Sequence, residues 1–179
     1  VIELFWQKGY EATSMSDLTA ATGLKKPSLY AAFGDKMALF EAALRRYNQQ
    51  HAKRIDRLLQ QGKTARQSFE HLFQYLTGSD DDHQAEYGCF CINTMVELAP
   101  HDERFAVLTR EHQMYLSALF TRRLERAIAE NELSSDYDAQ AHAQTLVTGM
   151  IGLTVMLKTN PDPAFIGTTT NMLLSSLLS

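Results

Sequence analysis

Apolar side chains return every three or four residues along almost the whole chain, and no stretch alternates apolar with polar in the manner of a strand. The pattern predicts an all-α protein. Ile2, Phe5, Trp6 and Tyr10 open the chain in helical register. Phe40, Leu44, Tyr47 and His51 follow one another at helical spacing and predict a long helix that starts near Asp35. Phe69, Leu72, Phe73 and Leu76 form the stripe of another, which runs into the polar segment GSDDDHQAEYG at 78–88. A short helix is expected from about Cys89 to Leu98, broken by Pro100, and Asp102 starts a long one to about Asn131. Phe105, Leu108, His112, Tyr115 and Leu119, with Arg122 beyond them, are expected on its inner face. Two more helices follow, one from Ser135–Asp138 to before Pro161 and one from Asp162–Pro163 to the end.

The last two helices are apolar on more than one stripe. Leu146, Met150 and Leu153 in the first, and Ile166, Leu173 and Leu177 in the second, are the expected dimerisation residues. A helix that is apolar on most sides must be covered on most sides; a second copy is the expected cover, and the alternative is that these helices are central in the monomer. Gly149 and Gly152 allow a close helix approach.

Between the first helix and Phe40 the periodicity shortens into the segment SMSDLTAATGLKKPSLYAAFGDKMALF at 14–40. Ser14 and Asp17 have the spacing of a capping box, in which each side chain satisfies a backbone amide of the other's turn. Leu18 and Ala21 form a small apolar face, Gly23 ends the helix, and Leu24 is expected under the turn. Pro27 suits the first turn of a second helix, where Leu29 and Phe33 are expected to point inward. Gly34 ends it and Asp35 caps the next. The result is a helix-turn-helix. It leaves Lys25, Lys26, Ser28 and Tyr30 facing outward beside Pro27, with Thr13 and Ser14 at the start of the first motif helix and Lys36 at the start of the third. Lysines neutralise phosphates, and hydroxyls donate to phosphates and base edges, so this set suits a major-groove reader of double-stranded DNA.

Composition sharpens the picture. The chain has 179 residues, is 45% hydrophobic and carries a formal net charge of −4. The charge is unevenly divided: residues 1–47 hold six basic and five acidic side chains, and the remainder is the acidic part. Only the N-terminal segment suits a polyanion. The longest apolar run, Leu146–Leu157, is shorter than the roughly 20 residues that a membrane span needs. Two cysteines without a secretory context, and no visible signal peptide, place the expectation in the cytoplasm. The chain begins at Val1, already inside a helical pattern, which suggests a missing N-terminal piece.

The N-terminal block resembles the tetracycline-repressor (TetR/AcrR) family of bacterial transcription regulators. The residues that carry the resemblance are FWQKGYEATSMSDLTAATG at 5–23 and LKKPSLYAAFGDKMALF at 24–40. Two positions depart from the usual pattern: Ala32, where many members carry histidine or another larger residue, and Lys25, where many have a capping serine. The resemblance implies a DNA-binding domain over 1–47 and an effector-binding and dimerisation domain over 48–179. It further implies that Tyr30 and Lys36 grip phosphates, that the second motif helix reads bases, and that the last two helices pair with their copies as a four-helix bundle. It also implies a repressor whose second domain binds a small molecule. Phe69, Phe73, Met95, Phe105, His112, Tyr115 and Leu119 are the side chains expected to line that effector site, although the residues alone do not separate a cavity lining from core.

Other chemistry is sparsely signalled. Cys89 and Cys91 lie in GCFCINT, which resembles a motif of one branch of the family. Thiols two residues apart on a helix point about 200° away from each other, so they cannot bridge or share one metal. Alone, each is either a small buried hydrophobe or a sensor of an oxidant or a metal; in a rival reading one of them is the nucleophile of a helical enzyme with a histidine base. His112 is either a core histidine or a polar anchor in a cavity. His51, His71, His83, His101 and His142 show no ligand spacing and are expected in solvent, as are Asp80, Asp81 and Asp82. No phosphate loop, dinucleotide fingerprint or metal motif is visible, and no cofactor is expected. A constitutive DNA-binding dimer without effector is the remaining alternative.

Overall fold

The computed structural model describes residues 1–78 and 87–177, with the side chains of 176 and 177 left out of that description. Asp80, Asp81, Asp82 and His83 lie outside the described residues, as does the side chain of Leu177. Within the described residues there are nine helices and no strand. They are α1 (Ile2–Lys8), α2 (Met15–Thr22), α3 (Lys26–Phe33), α4 (Lys36–Gln61), α5 (Ala65–Thr77), α6 (Phe90–Glu97), α7 (Glu103–Ala129), α8 (Ala139–Leu157) and α9 (Pro163–Leu177). The all-α expectation holds, and the expected starts fall within a few residues of the observed ones. The exception in length is α4. It continues ten residues past His51, because Ala52, Ile55 and Leu59 extend the buried stripe at helical spacing to the glycine at 62.

Side-chain caps set most starts. Ser14 and Asp17 form the complete capping box of α2. Asp35 Oδ1 accepts from the Ala38 amide at 2.7 Å, Thr64 caps α5, and Asp102, Asp138 and Asp162 do the same for α7, α8 and α9.

The chain groups into two compact units. The first comprises 1–51 with 89–111, and the second 52–88 with 112–179. The expected boundary at 47 did not foresee that α6 and the start of α7 belong with the N-terminal helices. The reason is aromatic packing. Phe40 is fully buried and meets Phe5, Tyr10, Phe90 and Phe105 edge-on, with ring centroids 4.8, 5.3, 5.2 and 5.5 Å away. Tyr47 adds an edge contact to Phe90 at 5.5 Å and stacks on His51 at 5.6 Å. His51, expected in solvent, is therefore buried.

In the second unit α5 is the centre. Phe69, Leu72, Phe73 and Leu76 pack with Leu116, Leu119, Phe120 and Leu124 of α7, and with Leu146, Met150 and Leu153 of α8. Phe69 meets Phe120 edge-on at 5.1 Å. The inner face of α7 runs through His112, Leu116, Leu119 and Arg123 rather than through Tyr115 and Arg122. Buried Arg123 donates from Nε to Ser68 Oγ at 2.9 Å and lies 3.7 Å from Glu132. Glu132 accepts in turn from the Ala65 amide at 2.6 Å.

Candidate nucleic-acid interface

The helix-turn-helix is built on very little core. Leu18 of α2 and Leu29 of α3 are the buried side chains of the two motif helices. Gly23 takes φ +68, ψ 3, the left-handed conformation that lets the chain turn directly from α2 into α3. Lys8 Nζ and Asp17 Oδ1, 3.0 Å apart, tie α1 to α2. The Ser14 hydrogen bonds, followed by Lys8, hold the Asp17 carboxyl down at about 2, so the capping box stays charged through the working pH range.

Everything on α3 except Leu29 is exposed, and so are Lys25 and the turn before it. Lys25, Lys26, Pro27, Ser28 and Tyr30 are all open to solvent. The Lys26 ammonium lies 5.8 Å from the Tyr30 ring centroid. Lys25 is the N-cap and contributes no side-chain cap. Leu24 and Phe33 do not tuck inward as expected. They are 47% and 41% exposed, because a two-turn helix resting on one leucine has no second apolar surface to cover them. Ala31 and Ala32 share that open surface. Lys36 starts α4 half-buried, with its ammonium 4.2 Å from the Tyr10 ring centroid.

Two members of the expected DNA-contact set differ. Ser14 is exposed, but its hydroxyl is engaged in the capping box. Thr13 is fully buried, and its hydroxyl donates to the Gly9 carbonyl at 2.6 Å. It closes the α1–α2 corner, and that side chain has no face turned to a phosphate.

The expected effector residues are divided between the units. Phe105 and half-buried Met95 belong to the first unit, and Phe69, Phe73, His112, Tyr115 and Leu119 to the second. Phe69, Phe73 and Phe105 are fully buried core. Tyr115 is 55% exposed, since the α7 stripe passes through Leu116 instead, and this corrects its inward placement. Burial pushes the His112 imidazole down to about 4, so it is neutral at ordinary pH. Leu119 borders a cleft of about 210 Å³ shared with Asp56, Gln60, Arg122, Arg123 and Arg126.

The dimerisation set needs the largest correction. Leu146, Met150, Leu153 and Ile166 face the core of their own unit. Leu173 is half-buried against Gly149, where a Cβ would fall 2.5 Å from its Cδ2. A helix that is apolar all round does not announce which stripe its own protomer consumes. Among the described residues, the large apolar side chains left open on these helices are Val155, Met156, Phe165 and Met172, and a Cβ on Gly152 would meet open space.

Cys89 and Cys91 are free and buried. Burial pushes both thiols up; Tyr47 beside Cys89 and Asn48 beside Cys91 lower them only partly. A thiol held protonated is neither a nucleophile nor a metal ligand. Among the described residues no group of three His, Cys, Asp or Glu side chains could hold a metal ion, and no helix is long and apolar enough to cross a membrane.

The helix-turn-helix geometry is matched by relatedness. Residues 2–43 match the model of bacterial regulatory proteins of the tetR family, and residues 65–173 match that of the tetracyclin repressor-like C-terminal domain. The chain belongs to the TetR family. It is a DNA-binding transcriptional regulator, and the family and its curated relatives are regulators rather than enzymes. It is 30% identical over 162 residues to the uncharacterized HTH-type transcriptional regulator YezE of Bacillus subtilis (strain 168), covering 90% of this chain and 84% of that protein. It is 37% identical over 115 residues to the HTH-type transcriptional repressor ComR of Escherichia coli (strain K12), covering 63% and 55% of the two chains. Among solved structures it is similar to a cysteine mutant of the TetR family regulator CifR complexed with 26bp double-strand operator DNA. That match has a TM-score of 0.83 and 29% identity, and covers 97% of this chain and 91% of that one.

Glu97 and Tyr10 bear on the motif in a way the sequence did not signal. The Glu97 carboxylate accepts from the Tyr10 amide at 3.1 Å and from the Glu11 amide at 3.0 Å. These partners are 87 and 86 residues away in sequence, so no local pattern marks the glutamate.

Proposed function

We propose that the protein is a homodimeric repressor that holds a near-palindromic operator through α3 and is released by a small apolar effector. The observation that carries the DNA arm is the exposed surface of α3 around a single buried leucine, with Lys25 at its N-cap and Lys26, Ser28 and Tyr30 along its first five residues. A helix presented in this way enters a major groove with its first turns against base edges and its flanking lysines against phosphates. The dimer arm is supported by Val155, Met156, Phe165 and Met172, large apolar side chains that stay open to solvent on helices whose opposite faces pack in the core. A two-fold pairing of that surface gives two α3 helices for two half-sites, one helical turn of about 34 Å apart or a multiple of it.

The effector arm draws support from the match of 65–173 to a tetracyclin repressor-like domain. A pocket for a small molecule usually exceeds about 300 Å³. The 210 Å³ cleft beside Leu119 is smaller and rimmed by three arginines, so it does not suit an apolar effector. In this reading the effector enters by parting the side chains around Phe69, Phe73 and His112. The helix α4, which begins at Lys36 and continues into the second unit, is the element through which occupancy reaches DNA.

Gel shifts on a selected operator test the DNA arm. Lys36→Ala should weaken binding on all sequences and lower the salt slope by about one per protomer, whereas Lys26→Ala and Ser28→Ala should change base preference. Unchanged binding by Lys36→Ala at two salt concentrations would reject the assignment. Thermal-shift screening with small apolar compounds, repeated with operator bound, tests the effector arm. Linkage requires operator and effector to weaken each other by the same factor. A constitutive dimer would show no such ligand.

A further inference from the structure

We infer that Glu97 is a positioning residue for DNA binding: its carboxylate fixes the α1–α2 corner so that the Tyr10 ring holds the Lys36 ammonium at the phosphate-facing start of α4. This rests on the reading that Lys36 contacts phosphate. All the groups involved lie in the first unit.

The geometry runs in one line. Glu97 is the last residue of α6. Both of its carboxylate oxygens are used, one by the Tyr10 amide at 3.1 Å and one by the Glu11 amide at 3.0 Å. These are successive amides just past the end of α1, and two consecutive backbone N–H groups form a small anion-binding concavity. The chain can present them this way because Gly9 has φ +77 and ψ −178, a combination that side chains rarely allow. A Cβ on Gly9 would also fall 2.8 Å from Glu97 Oε2, so the carboxylate fills the space that the glycine leaves empty.

With its amide held, Tyr10 has its ring fixed on two sides. One edge packs against Phe40 at 5.3 Å, and the Lys36 ammonium sits 4.2 Å from the centroid. A lysine carries four rotatable bonds, so a resting position over a fixed ring reduces what must be ordered when a phosphate arrives. Glu97 touches neither Lys36 nor DNA in this account. It acts through the Tyr10 backbone.

The test is a double-mutant cycle on operator affinity, with the salt slope measured for each protein. Glutamine keeps the shape of Glu97 but turns a donor toward one of the two amides. Glu97→Gln should weaken operator binding about three- to tenfold and lower the salt slope in the same direction as Lys36→Ala. On the Lys36→Ala background the same change should cost nothing further, within about a factor of two. Tyr10→Leu leaves the Glu97 clamp in place and removes the ring, and it should reproduce the slope change. It also carries the test if Glu97→Gln fails to fold. A Glu97→Gln loss of equal size with and without Lys36 would overturn the inference, because the glutamate would then be acting through general stability. So would a Tyr10→Leu protein with an unaltered salt slope. A Lys36→Ala protein with unaltered binding would overturn both this inference and the phosphate assignment on which it rests.

Discussion

Replacing Phe40 with alanine removes the side chain around which the first unit is assembled. The ring is fully buried and meets four other rings from α1, from the corner after it, from α6 and from the start of α7. A phenylalanine buries about 150–250 Å², which at about 25 cal/mol per Å² is an upper estimate of roughly 4–6 kcal/mol. Phe-to-Ala changes in cores cost about 3–5 kcal/mol once partial collapse of the cavity is included. A loss of about 4 kcal/mol is therefore expected, close to a thousandfold in the folding constant and a large share of the roughly 5–15 kcal/mol that a domain has. Urea unfolding followed by tryptophan fluorescence suits the question. The single tryptophan, Trp6, lies in the same unit, 5.3 Å from Tyr47. Val96→Ala, at a side chain 69% exposed, is the control and should change stability by less than about 0.5 kcal/mol. Amide exchange adds the spatial test: α1, α6 and the first turns of α7 should lose protection together. A cost under about 1 kcal/mol, or an α6 that keeps its protection while α1 loses it, would refute the grouping of 89–111 with the DNA-reading helices.

Three further outcomes are expected. Met172→Asp, at a side chain 66% exposed in the protomer, should leave the fold intact yet give monomers by light scattering, while Met150→Asp, in the core, should unfold the protein. Unfolding free energy should fall as the pH drops from about 6.5 toward 4, since the unfolded chain takes up a proton that buried His112 refuses; the contribution is fully present above 6.5, amounts to at most about 3–4 kcal/mol, and should be absent in His112→Leu. A thiol reagent should label neither Cys89 nor Cys91 in the native protein within minutes, and both after urea; fast native labelling would contradict their burial and raised thiols.

The elements were readable from sequence because their signals are local. The capping box at Ser14 and Asp17, the left-handed Gly23 and the stripe of α5 each depend on residues within a few positions, and each stands as expected. What sequence could not supply were choices made by distant partners. Phe40, Phe90 and Phe105 have apolar character that fits either unit, and only their meeting draws α6 to the first. Leu146 and Met172 are equally apolar on paper, yet one is core and the other open, because α5 covers a single side of the C-terminal helices. The choice between Tyr115 and Leu116 on α7 turns on about 100° of helix rotation, which short-range periodicity resolves poorly. Thr13 was placed at DNA by its position beside the motif, whereas its hydroxyl serves the Gly9 carbonyl.

We propose that α3 reads DNA as one of a symmetric pair. The most direct test is to pass fragmented genomic DNA over the purified protein at physiological salt, sequence what binds, and repeat the selection with Lys36→Ala and Tyr30→Phe. The expected result is enrichment of a near-palindrome whose half-sites are one helical turn apart or a multiple of it, with enrichment reduced in both variants. Retention without any common sequence, or the same palindrome recovered at full strength by both variants, would contradict it.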